Sequence, residues 1–342
     1  MIESSKLDIK LNHRNWEHAL SFSFSLLISA CPGEVVCICG PSRAGKTRLV
    51  YELIQLLSGQ SHDKHYNPYT CISVLAENVG TYGSFSTKAF TFQLFEALDH
   101  PIITLAKDDI AFASKFDRLT ETAMRQPLKR AFKHRGVRYL FIDEAQHVKY
   151  TTNASLAPHA VLDSWKSLAA SAGIVLVIVG AYPILNVMQK SSHLIGRTKT
   201  VHLPRYYANQ EDLKHFYSIA YAFLNELSRA GRLDLKKHIS DLYDRTFGCI
   251  GLLRSWLISA NDYAIATDST INSKVLRKTA HPKAFLEPVW NEIHAGEAIL
   301  DTLDEKIFVN ANNNSTSKEK SPSKTSKPFQ RNPDRYEAGN RI

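Results

Sequence analysis

No stretch of this sequence holds the roughly 20 consecutive apolar residues that a helix needs to cross a bilayer. The longest apolar run, Ile174–Gly180, is far shorter and suits a buried strand. Met1-Ile2-Glu3-Ser4-Ser5 lacks the charged-then-apolar order of a secretory leader, so a cytoplasmic location is the expectation. Cysteine is scarce: there are five, none at metal-ligand spacing. Cys37 and Cys39 alternate along an apolar segment, as small core residues do, which argues against a zinc or redox role. No internal repeat is visible. Acidic residues fall short of basic ones, 33 against 42, and the resulting +9 points towards a polyanionic partner. That excess is uneven. Residues 311–342 carry four Lys and three Arg against three acids, which is +4 of the +9.

At 342 residues and 44% apolar, the chain has room for one large α/β core and a smaller helical domain. Pro32-Gly33-Glu34 reads as a turn, and Val35–Cys39 as a strand buried on both faces. Residues before that turn mix polar and apolar positions without a clear element. Thr47–Leu57 has helical spacing, with Leu49, Leu53, Leu56 and Leu57 on one stripe. Further strands are expected at Thr70–Ala76, Val137–Ile142, Ile174–Gly180 and Thr200–Leu203. Helices are expected near Phe90–Leu98, over a long basic segment at 116–135, and at Leu162–Ala172. Strands alternating with helices imply a mostly parallel sheet covered on both sides.

After Pro204 the pattern turns helical to about Asp304, with breaks near Gly231, Gly248 and Pro282. Beyond Asn310 the sequence is rich in Asn, Ser, Thr, Lys and Pro and too poor in apolar residues to form a core. The expected organisation is therefore a P-loop core over 1–205, a helical lid over 206–310, and a disordered basic tail over 311–342.

Two motifs carry chemistry. Gly40-Pro41-Ser42-Arg43-Ala44-Gly45-Lys46-Thr47 has the spacing of a phosphate-binding loop, with a buried strand before it and a helix after. Its glycines let backbone N–H groups turn inward around phosphates at the positive end of the helix. Lys46 would neutralise the β- and γ-phosphates, and Thr47 would place its hydroxyl on Mg²⁺. Downstream, Tyr139-Leu140-Phe141-Ile142-Asp143-Glu144 ends a buried strand in an acidic pair. Asp143 would hold the metal, partly through water, and Glu144 would polarise an attacking water. The paired glutamate favours an ATPase over a small-molecule kinase.

Several segments together resemble the TnsC/TniB family, AAA+ regulators of cut-and-paste DNA transposition. They are Asp143-Glu144-Ala145-Gln146-His147, Leu162 to Ala169, Val179 to Leu185, His193-Leu194-Ile195-Gly196-Arg197, and Val201 to Tyr206. Thr246 to Leu257 is similar to the family's lid motif, and the resemblance spans roughly residues 32–260. It implies an ATP- and Mg²⁺-dependent hydrolase that forms a homo-oligomeric ring or filament on double-stranded DNA. Such an assembly links a target-selection adaptor to transposase subunits, with a CRISPR-associated complex or a dedicated DNA-binding protein choosing the target.

Position by position, the resemblance makes Arg197 the arginine that reaches a neighbour's nucleotide, with Arg205 suited better to a structural ion pair. Arg254 falls where the lid supplies a phosphate sensor. One departure stands out at the end of the fourth strand: Ala181 replaces a polar residue that helps orient water, which implies either slow turnover or the use of another group. Sequence-independent contacts to the DNA backbone are expected from Lys88, Lys107 and Lys115, or from Lys129, Arg130 and Lys133 on the basic helix. For that helix the competing reading is a solvated outer face. Alternative functions are a helicase loader or replication initiator, a signalling nucleotide switch, and a non-catalytic nucleotide-holding scaffold.

Overall fold

The structure is a computed structural model. It describes residues 11–59, 66–80, 83–103, 118–151, 157–191, 194, 198–231 and 233–312, with side chains as far as Asp301. The chain divides into two units, Met1–Ile299 and Leu300–Ile342. The expected disordered tail falls almost wholly outside the described residues.

Five strands, β1 (Val35–Gly40), β2 (Cys71–Leu75), β3 (Tyr139–Asp143), β4 (Val175–Ala181) and β5 (Thr198–His202), make one sheet in the order β2-β3-β4-β1-β5. Every pairing is parallel. β1, β3 and β4 are buried along their whole length, which explains their unbroken apolar sequences. The register pairs Gly40 with Ala181 and Leu75 with Asp143, so the first glycine of the phosphate loop lies beside the last residue of β4. In a parallel sheet the carboxyl ends of the strands are where ligands bind.

Two helices cover one face, α1 (Arg14–Ser29) and α2 (Lys46–Ser58). Trp16, Ala19 and Leu27 from α1 join Leu49, Val50 and Leu53 from α2 against Val36 and Ile38. α1 was not expected from the sequence, because a wholly buried serine, Ser23, interrupts its apolar stripe. Helices α3 (Thr87–Ala97), α4 (Glu121–Arg135) and α5 (Pro158–Ala172) pack together, and α5 also lies on β4. Phe90 and Trp165 stack there at 4.7 Å between ring centroids. The basic helix, α4, is shorter than expected at its start. Thr120 lies outside it in extended conformation, and its hydroxyl accepts the Ala123 N–H at 3.2 Å as an N-cap.

Further helices are α6 (Pro183–Met188), α7 (Gln210–Asn225), α8 (Leu235–Asp244), α9 (Ile250–Ala266), α10 (Ser273–Thr279) and α11 (Lys283–Asn312). The helical region has its own core, with Phe216, Phe223, Leu253, Trp256 and Leu257 at its centre. Trp256 is fully buried and donates its indole N–H to the Leu276 carbonyl at 3.1 Å. Among the described residues no helix is long and apolar enough to cross a membrane.

Candidate nucleotide site

The loop between β1 and α2 is shaped by backbone demands. Gly40 sits so close to the Leu203 carbonyl that any Cβ would collide with it. Arg43 and Gly45 take positive φ, 63° and 97°, which turns the loop back on itself. Lys46 opens α2 and is only 5% exposed. Its ammonium donates to the Gly40 and Pro41 carbonyls at 3.2 and 2.8 Å. Burial lowers its pKa, while the carboxylates of Glu144, Glu292 and Asp143 pull the other way. A buried cation inside a curl of backbone is a receptor for polyanionic phosphate.

The acidic pair stands beside it. Thr47 Oγ1 donates to Asp143 Oδ2 at 2.8 Å, and the Glu144 N–H donates to Asp143 Oδ1 at 2.8 Å. Hydroxyl and carboxylate meeting on one point is the donor set that a hard, oxygen-seeking cation such as Mg²⁺ takes, so the residues fit that ion. Glu144 has φ 53°, a left-handed conformation that costs a non-glycine residue about 1 kcal/mol and turns its side chain towards the loop.

These groups open into a cleft of about 960 Å³ whose lining includes Lys46, Glu144, His13, Trp16, Phe223 and Arg254. That volume is at the upper end for small-molecule sites. Arg254 comes from α9, so the cleft is closed by the helical region on one side and by the phosphate loop, α2 and the start of α1 on the other. The contact between them is tight. Gly251, in the first turn of α9, presses on the Arg43 backbone so closely that a Cβ would overlap the Arg43 carbonyl oxygen.

Three further contacts surround these groups. The first is the start of α1. His13 shares a 3.1 Å hydrogen bond between Nδ1 and the Tyr206 hydroxyl, and burial, then the nearby Arg48 charge, lower its pKa to about 4. Arg48 lies over the Trp16 ring at 4.8 Å. The second is Glu292 of α11, whose carboxylate accepts from the Ser42 N–H at 3.1 Å and from Ser42 Oγ at 2.9 Å. The third is Gln146, in the short 3-10 helix after Glu144 (Ala145–Tyr150), which hydrogen-bonds both Glu144 and the end of β4.

Arg205 forms the structural ion pair. It meets Glu297 of α11 through Nε at 2.8 Å and Nη2 at 3.0 Å, and its Nη1 donates to the Phe247 carbonyl at 3.2 Å. Arg197, the expected inter-subunit arginine, lies outside the described residues, as do Lys107 and Lys115. Of the remaining basic candidates, Lys88 is half-buried with its ammonium over the Phe92 ring at 5.8 Å. Arg130 and Lys133 are exposed on α4, and Lys129 is half-buried. Two other arginines of that helix are engaged internally: Arg125 donates to Ser164 Oγ at 2.8 Å, and Arg135 stacks on Tyr69 at 4.4 Å.

Comparison with known proteins agrees with this architecture. Residues 32–188 match the family profile of an AAA domain, a span that contains both motifs. No curated protein matches the chain. Among solved structures, the ORC2 protein of Aeropyrum pernix in its ADP form aligns with TM-score 0.53 and 14% identity, covering 81% of this chain and 70% of that one. Cdc6p from Pyrobaculum aerophilum aligns at 0.52 and 17%, covering 81% and 69%. Drosophila ORC bound to DNA aligns at 0.51 and 13%, covering 80% and 62%. At such identities the likeness is one of fold. The chain has the P-loop AAA+ fold, followed by a helical region.

Proposed function

We infer that this protein is an AAA+ ATP hydrolase that assembles on duplex DNA and regulates transposition. The observation that carries the hydrolase part is the convergence of Lys46, Thr47, Asp143 and Glu144 at the carboxyl ends of β1 and β3. Lys46 and the loop N–H groups bind the phosphates, and Thr47 and Asp143 hold Mg²⁺, which supplies charge neutralisation when bound. Glu144 takes a proton from water as the water oxygen attacks the γ-phosphorus. The bond to the bridging oxygen breaks, leaving ADP and phosphate. Arg254 reaches the same cleft from α9 and ties lid position to nucleotide state. Arg197 acts from a neighbouring copy.

The transposition part is supported by the TnsC/TniB-like segments, above all Leu162 to Ala169 and Val201 to Tyr206. In that reading DNA contact is to phosphates, through Lys88, Lys107 and Lys115 or the exposed side of α4, and residues 311–342 tether a transposase subunit. A second reading, a helicase loader or replication initiator, is favoured by the fold-level likeness to ORC and Cdc6 structures, one of them bound to DNA. Both readings require nucleotide-dependent assembly. Electron microscopy of the protein on duplex DNA with a slowly hydrolysed ATP analogue tests it. Ordered oligomers that vanish with ADP, or with Lys46→Ala, are expected; a protein that stays monomeric refutes both. Pull-down of a purified transposase by the DNA-bound oligomer separates the first reading from the second.

A further inference from the structure

The end of β4 carries a methyl group where the hydrolase reading calls for a polar one. Ala181 is 4% exposed and points no hydrogen-bonding atom anywhere. A side chain from a different element reaches this strand end. Gln146 is 8% exposed, and its Oε1 accepts the Ala181 backbone N–H at 3.0 Å. Its amide nitrogen donates to Glu144 Oε2.

The two ends of that amide are not interchangeable. A backbone N–H only donates, so the atom facing Ala181 must be the oxygen, which leaves the NH₂ facing the carboxylate. The strand is cut to admit it. A Cβ on Gly180 would lie 2.6 Å from Gln146 Oε1, so only glycine leaves room for the amide before Ala181. Because Ala181 pairs with Gly40, the amide anchors Glu144 to the strand next to the phosphate loop. Glu144 itself sits in a left-handed conformation, which needs such outside support.

We propose that Gln146 is a positioning residue that aims the Glu144 carboxylate by bridging it to the Ala181 N–H, and so replaces the missing polar group of β4. The proposal rests on the hydrolase reading. It assigns slow or fast turnover to the geometry of this bridge and not to Ala181 alone. It also gives Gly180 a role, as the gap through which the bridge passes.

Gln146→Glu tests it, because the substituted side chain keeps the acceptor for Ala181 N–H and sets a negative oxygen where the donor to Glu144 stood. The expected result is a 10- to 100-fold fall in kcat, the usual size for loss of a group that orients a reacting one. KM and the Kd for ATP of Gln146→Leu, which adds no charge, should stay within about threefold, since the phosphate loop is untouched. A purely structural amide would leave kcat of Gln146→Glu unchanged, and that outcome overturns the proposal. Gln146→Leu adds a control: it should slow kcat as much while also lowering the melting temperature, because it orphans a buried N–H. Wild-type protein that binds ATP but does not turn it over sinks the hydrolase reading instead, and this proposal with it.

Discussion

Replacing Arg205 with alanine tests whether α11 is pinned to the core by charge. Arg205 and Glu297 have side chains 11% and 16% exposed, and two nitrogens meet two oxygens at 2.8 and 3.0 Å. Burial lowers the Arg205 pKa, but the hydrogen bonds and charge of Glu297 more than offset this, and the net shift is upward. Removing one partner of a fully buried pair costs about 3–5 kcal/mol, chiefly because the other charge is stranded. Some water still reaches this pair, so Arg205→Ala should cost about 2–4 kcal/mol. Glu297→Ala should cost less, about 1–3 kcal/mol, because Arg205 keeps the Phe247 carbonyl and the Tyr243 hydroxyl. The double variant should fall short of the sum by at least 1 kcal/mol.

Urea unfolding followed by tryptophan fluorescence reads this directly. Trp290 is 41% exposed, lies 5.0 Å from the Phe247 ring and has the Arg205 guanidinium 5.7 Å from its own centroid, so it reports departure of α11. An Arg205→Ala midpoint equal to wild type, or strict additivity in the cycle, refutes the reasoning. The pair would then be a surface contact with no net worth.

Two other tests bear on the cleft. His13 has its pKa lowered to about 4 by burial, against 6.5 in an unfolded chain. Above pH 6.5 it is neutral in both states and its contribution is fully present. As the pH falls towards 4, the unfolded chain takes up a proton that the native state resists, and on the order of 2–3 kcal/mol is lost. His13→Gln should flatten that part of the curve of urea midpoint against pH; an unchanged slope would count against it. Glu292→Gln keeps the shape of the contact with Ser42 but removes a negative charge from the phosphate loop. It should tighten ATP by roughly 1–2 kcal/mol, a five- to thirtyfold lower Kd in a fluorescent-nucleotide titration. Unchanged or weaker binding would mean the carboxylate does not oppose the nucleotide.

What the sequence made legible follows the strength of local signals. Val35–Cys39, Val137–Ile142 and Ile174–Gly180 are near-continuous apolar runs, and strands buried on both faces permit nothing else. Lys46, Thr47, Asp143 and Glu144 could be picked out because each motif is fixed by its neighbours on the chain. The contacts that α11 makes with the phosphate loop and with Arg205 come from long range. Ser42 and Glu292 are 250 residues apart, and Arg205 and Glu297 are 92 apart. No spacing rule links them. α1 was hidden for a different reason: its buried face contains Asn15 and Ser23, so the helical stripe at Trp16, Ala19 and Leu27 does not read as apolar. Gln146 was in plain sight within its motif, but which way an amide faces is decided by the strand it touches.

The meeting of Gly251 with the Arg43 carbonyl has a mechanical consequence. No side chain lies between the loop and the first turn of α9 at that point, so no rotamer change can absorb a displacement. A shift of the loop by a fraction of an ångström must be passed on as a push on α9, and through Trp256 to the bundle around it. Loop and helix thus meet as gear teeth do, backbone against backbone with no slack between them.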